Sequence, residues 1–243
     1  MKKIITFLFL ALSIIVFSQE KTYRFLYDFH QKTILDKAEN PNMPSEDYNI
    51  IVAELNKSYE VEVTANSSFS FVKLVEKINN DQNKSFIKIE PEPKWLLNDF
   101  ETNNSYDYID TSAIYLIDSI QSISMKPTRN SKKILGFDTK EFIAEDKTFS
   151  YHFWLMKQGD HSVSPLKLQF KGYIVVEAEI INKKENNSKI TTERKVTYRL
   201  KNMTEENSFD FKKLKPKKVM TQVELDALLE KVNTERNSGV EKD

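Results

Sequence analysis

The sequence TYRFLYDFH, residues 22–30, alternates aromatic and polar side chains with a period of two. Its aromatic side chains fall on one face of an extended chain: Tyr23, Phe25, Tyr27 and Phe29. Leu26 is the one apolar residue among the others, which are mostly polar or charged. Because successive side chains of a strand point to opposite faces, this pattern predicts a β-strand with one buried and one solvated face.

The same period returns downstream and predicts a hairpin. Residues 59–65 alternate apolar and acidic or hydroxyl side chains, Asn66-Ser67 has the composition of a turn, and Phe69 begins a second apolar stretch. Two alternating stretches joined by a short polar turn are typical of paired antiparallel strands.

Further alternating stretches extend the prediction to the whole chain: residues 85–90, 106–118, 149–156, 174–180 and 196–200. Strands with one apolar and one polar face are typical of antiparallel sheets, whereas parallel strands are buried on both faces. We therefore predict a mainly β (α+β) fold, with one β-rich domain over residues 19–236 and a disordered tail over 237–243.

The end of the chain predicts a C-terminal amphipathic helix over residues 221–235. Thr221 with Glu224 three residues later forms a capping box. The residues that follow place an apolar stripe on the helix: Leu225, Leu228, Leu229 and Val232. The simplest expectation is that this stripe packs on the sheet, and binding of a partner protein is the alternative. A shorter helix is predicted over residues 47–55.

The N-terminus has the pattern of a secretory signal peptide, residues 1–18. Lys2 and Lys3 precede an apolar run from Ile4 to Phe17, which is too short to span a bilayer. Cleavage after Ser18 is expected, cleavage one residue later is nearly equivalent, and an uncleaved anchor is the alternative. We expect an exported protein, periplasmic or secreted, with no transmembrane anchor in the mature chain.

Composition excludes several classes of function. The chain has no cysteine, so it has no disulfide, no thiol nucleophile and no acylated N-terminal cysteine, and it is not expected to be a lipoprotein. Of 36 basic residues two lie in the predicted signal, which leaves 34 against 36 acidic residues and argues against a nucleic-acid binder. Four widely spaced glycines provide no phosphate-binding loop.

No residue pattern predicts catalysis, a metal or a cofactor. His30, His152 and His161 lack metal-ligand spacing, so we interpret them as ordinary surface or half-buried residues. The pairs Glu60/Glu62 and Glu177/Glu179 are explained by the solvated face of a strand. A hydrolase would require His152, His161 and nearby carboxylates to converge in one pocket.

Five lysines between residues 212 and 218 flank Pro216. We interpret this basic cluster as a solvated linker before the terminal helix, and contact with anionic lipid headgroups is the alternative.

The order of features after residue 131 resembles the GLPGLI family of exported gram-negative proteins. Four segments carry the resemblance: Lys132-Lys133-Ile134-Leu135-Gly136-Phe137, Phe153-Trp154, Ser164-Pro165-Leu166-Lys167 and Gln169-Phe170-Lys171-Gly172-Tyr173-Ile174. The family's hexapeptide is matched at Gly172 and Ile174. The resemblance implies a curved antiparallel sheet or half-barrel, similar to periplasmic lipoprotein carriers, whose concave apolar face could hold a ligand. It carries no catalytic residues.

The expected function is therefore a non-catalytic binding protein of the cell envelope with a hydrophobic or peptide ligand. The candidate ligand-binding residues are aromatic: Tyr23, Phe25, Phe69, Phe153 and Trp154. For any single one of them, plain core packing is the favoured alternative. The alternative is a structural or interaction protein that docks to an outer-membrane or secretion component through a sheet edge or the terminal helix.

Overall fold

A computed structural model describes residues 21–34, 44–75, 94–109, 114–159, 161–182 and 193–239. The predicted signal peptide, the predicted strand at 85–90 and residues 240–243 of the predicted tail lie outside the described residues.

The described residues form fourteen strands, two α-helices and one 3-10 turn. In chain order they are β1 Thr22–Ile34, α1 Ser45–Leu55, β2 Ser58–Ala65, β3 Phe69–Val75, β4 Trp95–Asp99, β5 Asn104–Ile109, β6 Ile114–Ser119, β7 Gln121–Ser122, β8 Lys126–Ile134, β9 Phe137–Glu145, β10 Phe149–Lys157, β11 Leu168–Gln169, β12 Tyr173–Asn182, β13 Glu193–Glu206, the 3-10 turn Phe211–Leu214, β14 Val219–Met220 and α2 Gln222–Gly239.

Twelve of these strands form one large curved sheet that does not close on itself. Their order is β14-β6-β5-β4-β3-β2-β1-β13-β12-β10-β9-β8, and neighbouring strands are antiparallel except for β14 and β6. The short strands β7 and β11 pair separately in parallel. The predicted mainly β fold with a curved antiparallel sheet and a C-terminal helix is confirmed.

Strand β1 lies in the middle of the sheet between β2 and β13. Phe25, Tyr27 and Phe29 are buried on one face, which we call the inner face, as the alternation predicted. The pairing of β1 with β13 shifts between Leu26 and Tyr27, and Lys201 is the extra residue on β13. The predicted hairpin is also confirmed, because β2 and β3 pair from Glu60↔Val75 to Ala65↔Ser70.

The inner face is covered by the chain itself. The covering segment, residues 161–170, places Val163, Leu166 and Phe170 in the main core. The Ser162 hydroxyl accepts a hydrogen bond of 3.1 Å from the amide N–H of Phe170, and the Ser164 hydroxyl accepts one of 3.0 Å from Leu166. These side-chain bonds satisfy main-chain donors that no strand partner reaches.

A second, smaller core lies on the outer face of β3 and β4. Phe69 stacks on Phe211 of the 3-10 turn with ring centroids 5.4 Å apart. The ion pair between Lys215 and buried Asp99 fixes the same segment at 2.5 Å. The lysines of this stretch are exposed, as the interpretation of a solvated linker expects, while Phe211 and Lys215 attach the segment to the sheet.

Helix α2 begins with the predicted capping box, in which the Thr221 amide N–H donates to Glu224 Oε2 at 2.7 Å. The helix runs from Gln222 to Gly239, beyond the predicted end and into the segment expected as tail. Of the predicted stripe Leu225 is half-buried, whereas Leu228, Leu229 and Val232 are 39%, 51% and 39% exposed. The expectation that the whole stripe packs on the sheet is therefore corrected, because most of it remains exposed. Within the described ranges, no helix is long and apolar enough to cross a membrane.

Candidate functional site

Three of the five predicted lining residues lie on the inner face but are closed off. Phe25 and Phe153 are fully buried. Phe153 meets Phe170 of the covering segment edge to face, with centroids 4.8 Å apart. Tyr23 packs in the same way against His161 at 5.6 Å. This part of the inner face is core, and the covering segment occupies the space expected for a ligand.

The other two predicted residues, Phe69 and Trp154, lie on the outer face, and their assignment to a common lining is corrected. Phe69 belongs to the second core under Phe211. Trp154 lies beneath the Lys132 ammonium, 4.0 Å from the ring centroid. The reason is strand geometry, since Phe153 and Trp154 are consecutive and must point to opposite faces.

Part of the inner face is open beside the covering segment. A cleft of about 570 Å³ lies between this segment and strands β1, β10, β12 and β13. We call it the inner cleft. Its lining is mainly apolar and aromatic: Phe29, Phe149, Tyr151, Leu166, Lys167, Leu168, Ile180, Arg194, Val196 and Tyr198. The volume and the lining are typical of small-molecule sites.

Packing holds the walls of the inner cleft in place. Phe29 meets Tyr198 edge to face at 5.0 Å on the floor, where both are buried. Tyr151 stacks on Phe153 at 5.7 Å, and its hydroxyl donates to Asp146 Oδ2 at 2.7 Å. Burial raises the pKa of Tyr151, and the bond to Asp146 adds to the shift. This phenol therefore stays neutral at physiological pH.

A second cavity of about 770 Å³ lies at the other end of the sheet, along β8 and β9. Its lining is largely basic and polar: Ser131, Lys132, Lys133, Asp138, Thr139, Lys140, Leu155, Lys157 and Tyr173. Lys132 is already paired with Glu177 at 2.9 Å, and Lys133 lies 3.7 Å from Asp138. This cavity has only Leu155 and Tyr173 as aliphatic or aromatic lining, fewer than the inner cleft has.

The histidines do not converge. The His152 ring nitrogen lies 3.5 Å from Glu141 on the outer face, while His161 packs against Tyr23 on the inner face. The ring of His30 bonds the Ser58 hydroxyl at 3.0 Å. Hydrogen bonds from Thr128 and Asn130 lower the pKa of Glu141 against the opposing effect of burial. In the described part of the chain, no group of three or more histidine, aspartate and glutamate residues could hold a metal ion.

The two carboxylate pairs lie on the outer face in a network of ion pairs. Glu62 accepts from Lys73 at 2.9 Å and faces Arg24 at 3.8 Å. Glu177 lies between Lys132 at 2.9 Å and Arg199 at 3.4 Å. Their neighbours are cations, Arg24, Lys73 and Arg199 on adjacent strands and Lys132 on β8, which agrees with the interpretation of a solvated face.

Comparison with known proteins relates this chain to others by fold only. No family model matches the sequence, and no curated protein matches it. PNGF-II in its P21 crystal form is similar with a TM-score of 0.50 and 14% identity over 83% of this chain. The C2 crystal form gives 0.49 at the same identity and coverage. A DUF1329 family protein from Desulfovibrio piger gives 0.21 at 6% identity, covering 83% of this chain and 92% of its own.

This chain spans only 31% of the length of PNGF-II. The likeness to the P21 form supports the sheet architecture and nothing about the inner cleft.

The sequence predicts part of the lining of the inner cleft. Alternation had already placed Ile180, Val196 and Tyr198 on the apolar face of their strands. Nothing in the sequence distinguished these positions from Phe25 or Phe153, which share that face and are covered. The difference depends on where residues 161–170 cross the sheet.

Proposed function

We propose that this protein is a non-catalytic binding protein that receives an apolar ligand in the inner cleft. One observation carries the proposal: the covering segment buries part of the inner face and leaves a cleft with aromatic and aliphatic walls beside it. Apolar clefts of this size are the usual sites of small hydrophobic ligands.

The cellular setting belongs to the same proposal. The N-terminal pattern supports export to the periplasm or the medium, and the absence of cysteine supports a mature chain without a lipid anchor. The segments that resemble the GLPGLI family include Pro165 and Leu166, which are buried in the covering segment. We therefore propose membership of that family and a role in the cell envelope.

A substitution that fills the inner cleft tests this function. Val196 is half-buried on β13 opposite Ile180, so Val196→Phe places a ring in the cleft. We expect it to weaken binding of the neutral fluorescent probe N-phenylnaphthylamine by about tenfold, because ligand contacts worth on the order of 1–3 kcal/mol are lost.

The matched control is Val223→Phe, which makes the same change on exposed helix α2. It should bind the probe like the wild type. Absence of probe binding to the wild type, or equal binding by both variants, would overturn the proposal.

A second candidate function is docking to an envelope partner through α2. The observation that favours it is the exposed stripe of Leu228, Leu229 and Val232. Large apolar side chains left exposed on one helix face mark interaction surfaces.

Leu229→Lys should abolish co-purification of a partner from the cell envelope under this second hypothesis. Asp226→Lys introduces the same side chain on the polar side of α2 and should leave co-purification intact. Equal recovery with both variants would exclude docking through the stripe.

A further inference from the structure

The lining of the inner cleft carries positive charge without a matching negative charge. Lys167 and Arg194 are its two charged residues, and the lining contains no aspartate or glutamate. Lys167 stands on the covering segment, and Arg194 stands near the start of β13. Apolar walls with cations on two sides favour a ligand of opposite charge.

The two cations differ in how far they are already neutralised. Lys167 Nζ lies 3.3 Å from Asp107 Oδ2, so its charge is largely compensated. Among the residues that the structure describes, no carboxylate lies within ion-pair distance of Arg194. Asp146 lies beside the lining and keeps its charge, but its oxygens are directed to other donors: Oδ2 accepts from the Tyr151 hydroxyl and Oδ1 from the amide N–H groups of Thr148 and Phe149.

We propose that the ligand of the inner cleft is an amphiphile with an apolar tail and a single carboxylate. The tail lies along Phe29, Ile180 and Val196, and the carboxylate binds the Arg194 guanidinium. A guanidinium matches a carboxylate with two parallel hydrogen bonds, which gives the head group a defined position. Among the described residues Arg194 is the one lining cation without an acidic partner, which favours a ligand with a single negative charge. This inference rests on the proposed function of the inner cleft.

Two sources carry this chemistry: a fatty acid, or the C-terminus of a short apolar peptide. Both place one carboxylate at the end of an apolar body. The cleft has no described residue that would select between them, so the experiment must include both.

Calorimetric titration of the purified protein with decanoate, decanol and decylamine at pH 7.5 tests the head group, because the three share one tail. We expect decanoate to bind about tenfold more tightly than decanol, the effect of one charge-assisted hydrogen-bonded contact. Decylamine should bind most weakly. Tri-leucine with a free C-terminus, compared with its amide, tests the peptide source, and preference for either acid supports the proposal.

Arg194→Gln should remove the preference for decanoate over decanol. Arg199→Gln is the matched control, because it removes the same group from the same strand at an outer-face position paired with Glu177. It should retain the preference.

The failures of the two proposals are distinguishable. If decanoate, decanol and decylamine bind equally and Arg194→Gln changes nothing, the carboxylate proposal is overturned and the apolar cleft stands. If none of the three binds and neither peptide binds, the proposed function itself is overturned, and the carboxylate proposal with it.

Discussion

The hydroxyl of Tyr27 donates a hydrogen bond of 2.7 Å to the main-chain carbonyl of Val175, 148 residues further along the chain. Strands β12 and β13 pair only from Glu177 to Ile181 on β12. Before that point the amide N–H of Val175 donates instead to Val163 of the covering segment, at 2.9 Å. The hydroxyl of the fully buried Tyr27 thus satisfies the Val175 carbonyl. At this point of β12 the covering segment replaces β13 as the neighbouring chain.

Tyr27→Phe should destabilise the protein by about 1–3 kcal/mol, because it leaves the buried Val175 carbonyl without a donor. Urea denaturation followed by circular dichroism measures the change. Tyr108→Phe is the control, since no hydrogen bond from its hydroxyl is seen among the described residues. Equal stability of the two variants would contradict the role of the Tyr27 hydroxyl.

Lys215→Met should destabilise the protein in a pH-dependent way. Burial opposes ionisation of Asp99, but the bonds from Lys215 and Thr102 outweigh it and lower the pKa of Asp99. A carboxyl with a lowered pKa contributes stability above its unfolded pKa, and this contribution is lost as pH falls through the folded value.

At pH 7 we expect Lys215→Met to lower the free energy of unfolding by about 1–2 kcal/mol. Breaking a fully buried ion pair would cost more, but Lys215 is 39% exposed. The difference from the wild type should shrink below about pH 4, where the unfolded carboxyl is protonated. A difference that stays constant from pH 7 to pH 3 would contradict this account. Lys213→Met is the control, since its pair with Asp210 is exposed.

Gly172→Ala should destabilise the turn that leads from the covering segment into β12. Gly172 has φ +78°, and an added Cβ would lie 3.2 Å from the carbonyl oxygen of Gly159. Gly136 has a similar φ of +82° with open space around it, so Gly136→Ala measures the backbone strain alone. We expect about 1–2 kcal/mol for Gly136→Ala and more for Gly172→Ala, measured by thermal unfolding. The reverse order would show that the Gly159 contact is unimportant.

Truncation after Met220 should leave the sheet folded. Helix α2 exposes most of its apolar stripe, so its removal uncovers little of the core. We expect the free energy of unfolding to change by less than about 1 kcal/mol. Loss of the cooperative unfolding transition would instead show that α2 is part of the core.

Short-range patterns in the sequence predicted several of the elements, although β4, β8 and β9 were not predicted and the stretch 106–118 forms two strands. Alternation placed Phe25, Tyr27 and Phe29 on one buried face, and the side-chain oxygen of Asn66 accepts from the amide N–H of Phe69 in the predicted hairpin turn. The Thr221 and Glu224 capping box lies where it was predicted. Each of these features depends on residues that are neighbours in the chain.

The candidate site was predicted less well, for two different reasons. The separation of Phe153 from Trp154 was visible in the sequence, because consecutive strand residues cannot share a face. The burial of Phe153 under Phe170 was not, because residues 161–170 have no period that indicates what they cover.

The alternation in residues 22–30 and its repeats are sufficient to specify antiparallel strands with one apolar face, since strand geometry acts between adjacent residues. Which part of that face remains open was decided only in three dimensions. Val163 and Phe170 close one region and Arg194 borders the open one, through contacts between segments far apart in the chain. Burial is a property of the packed molecule. Phe25 and Val196 therefore lie on strands with the same alternating pattern, yet Phe25 is part of the core and Val196 lines the inner cleft.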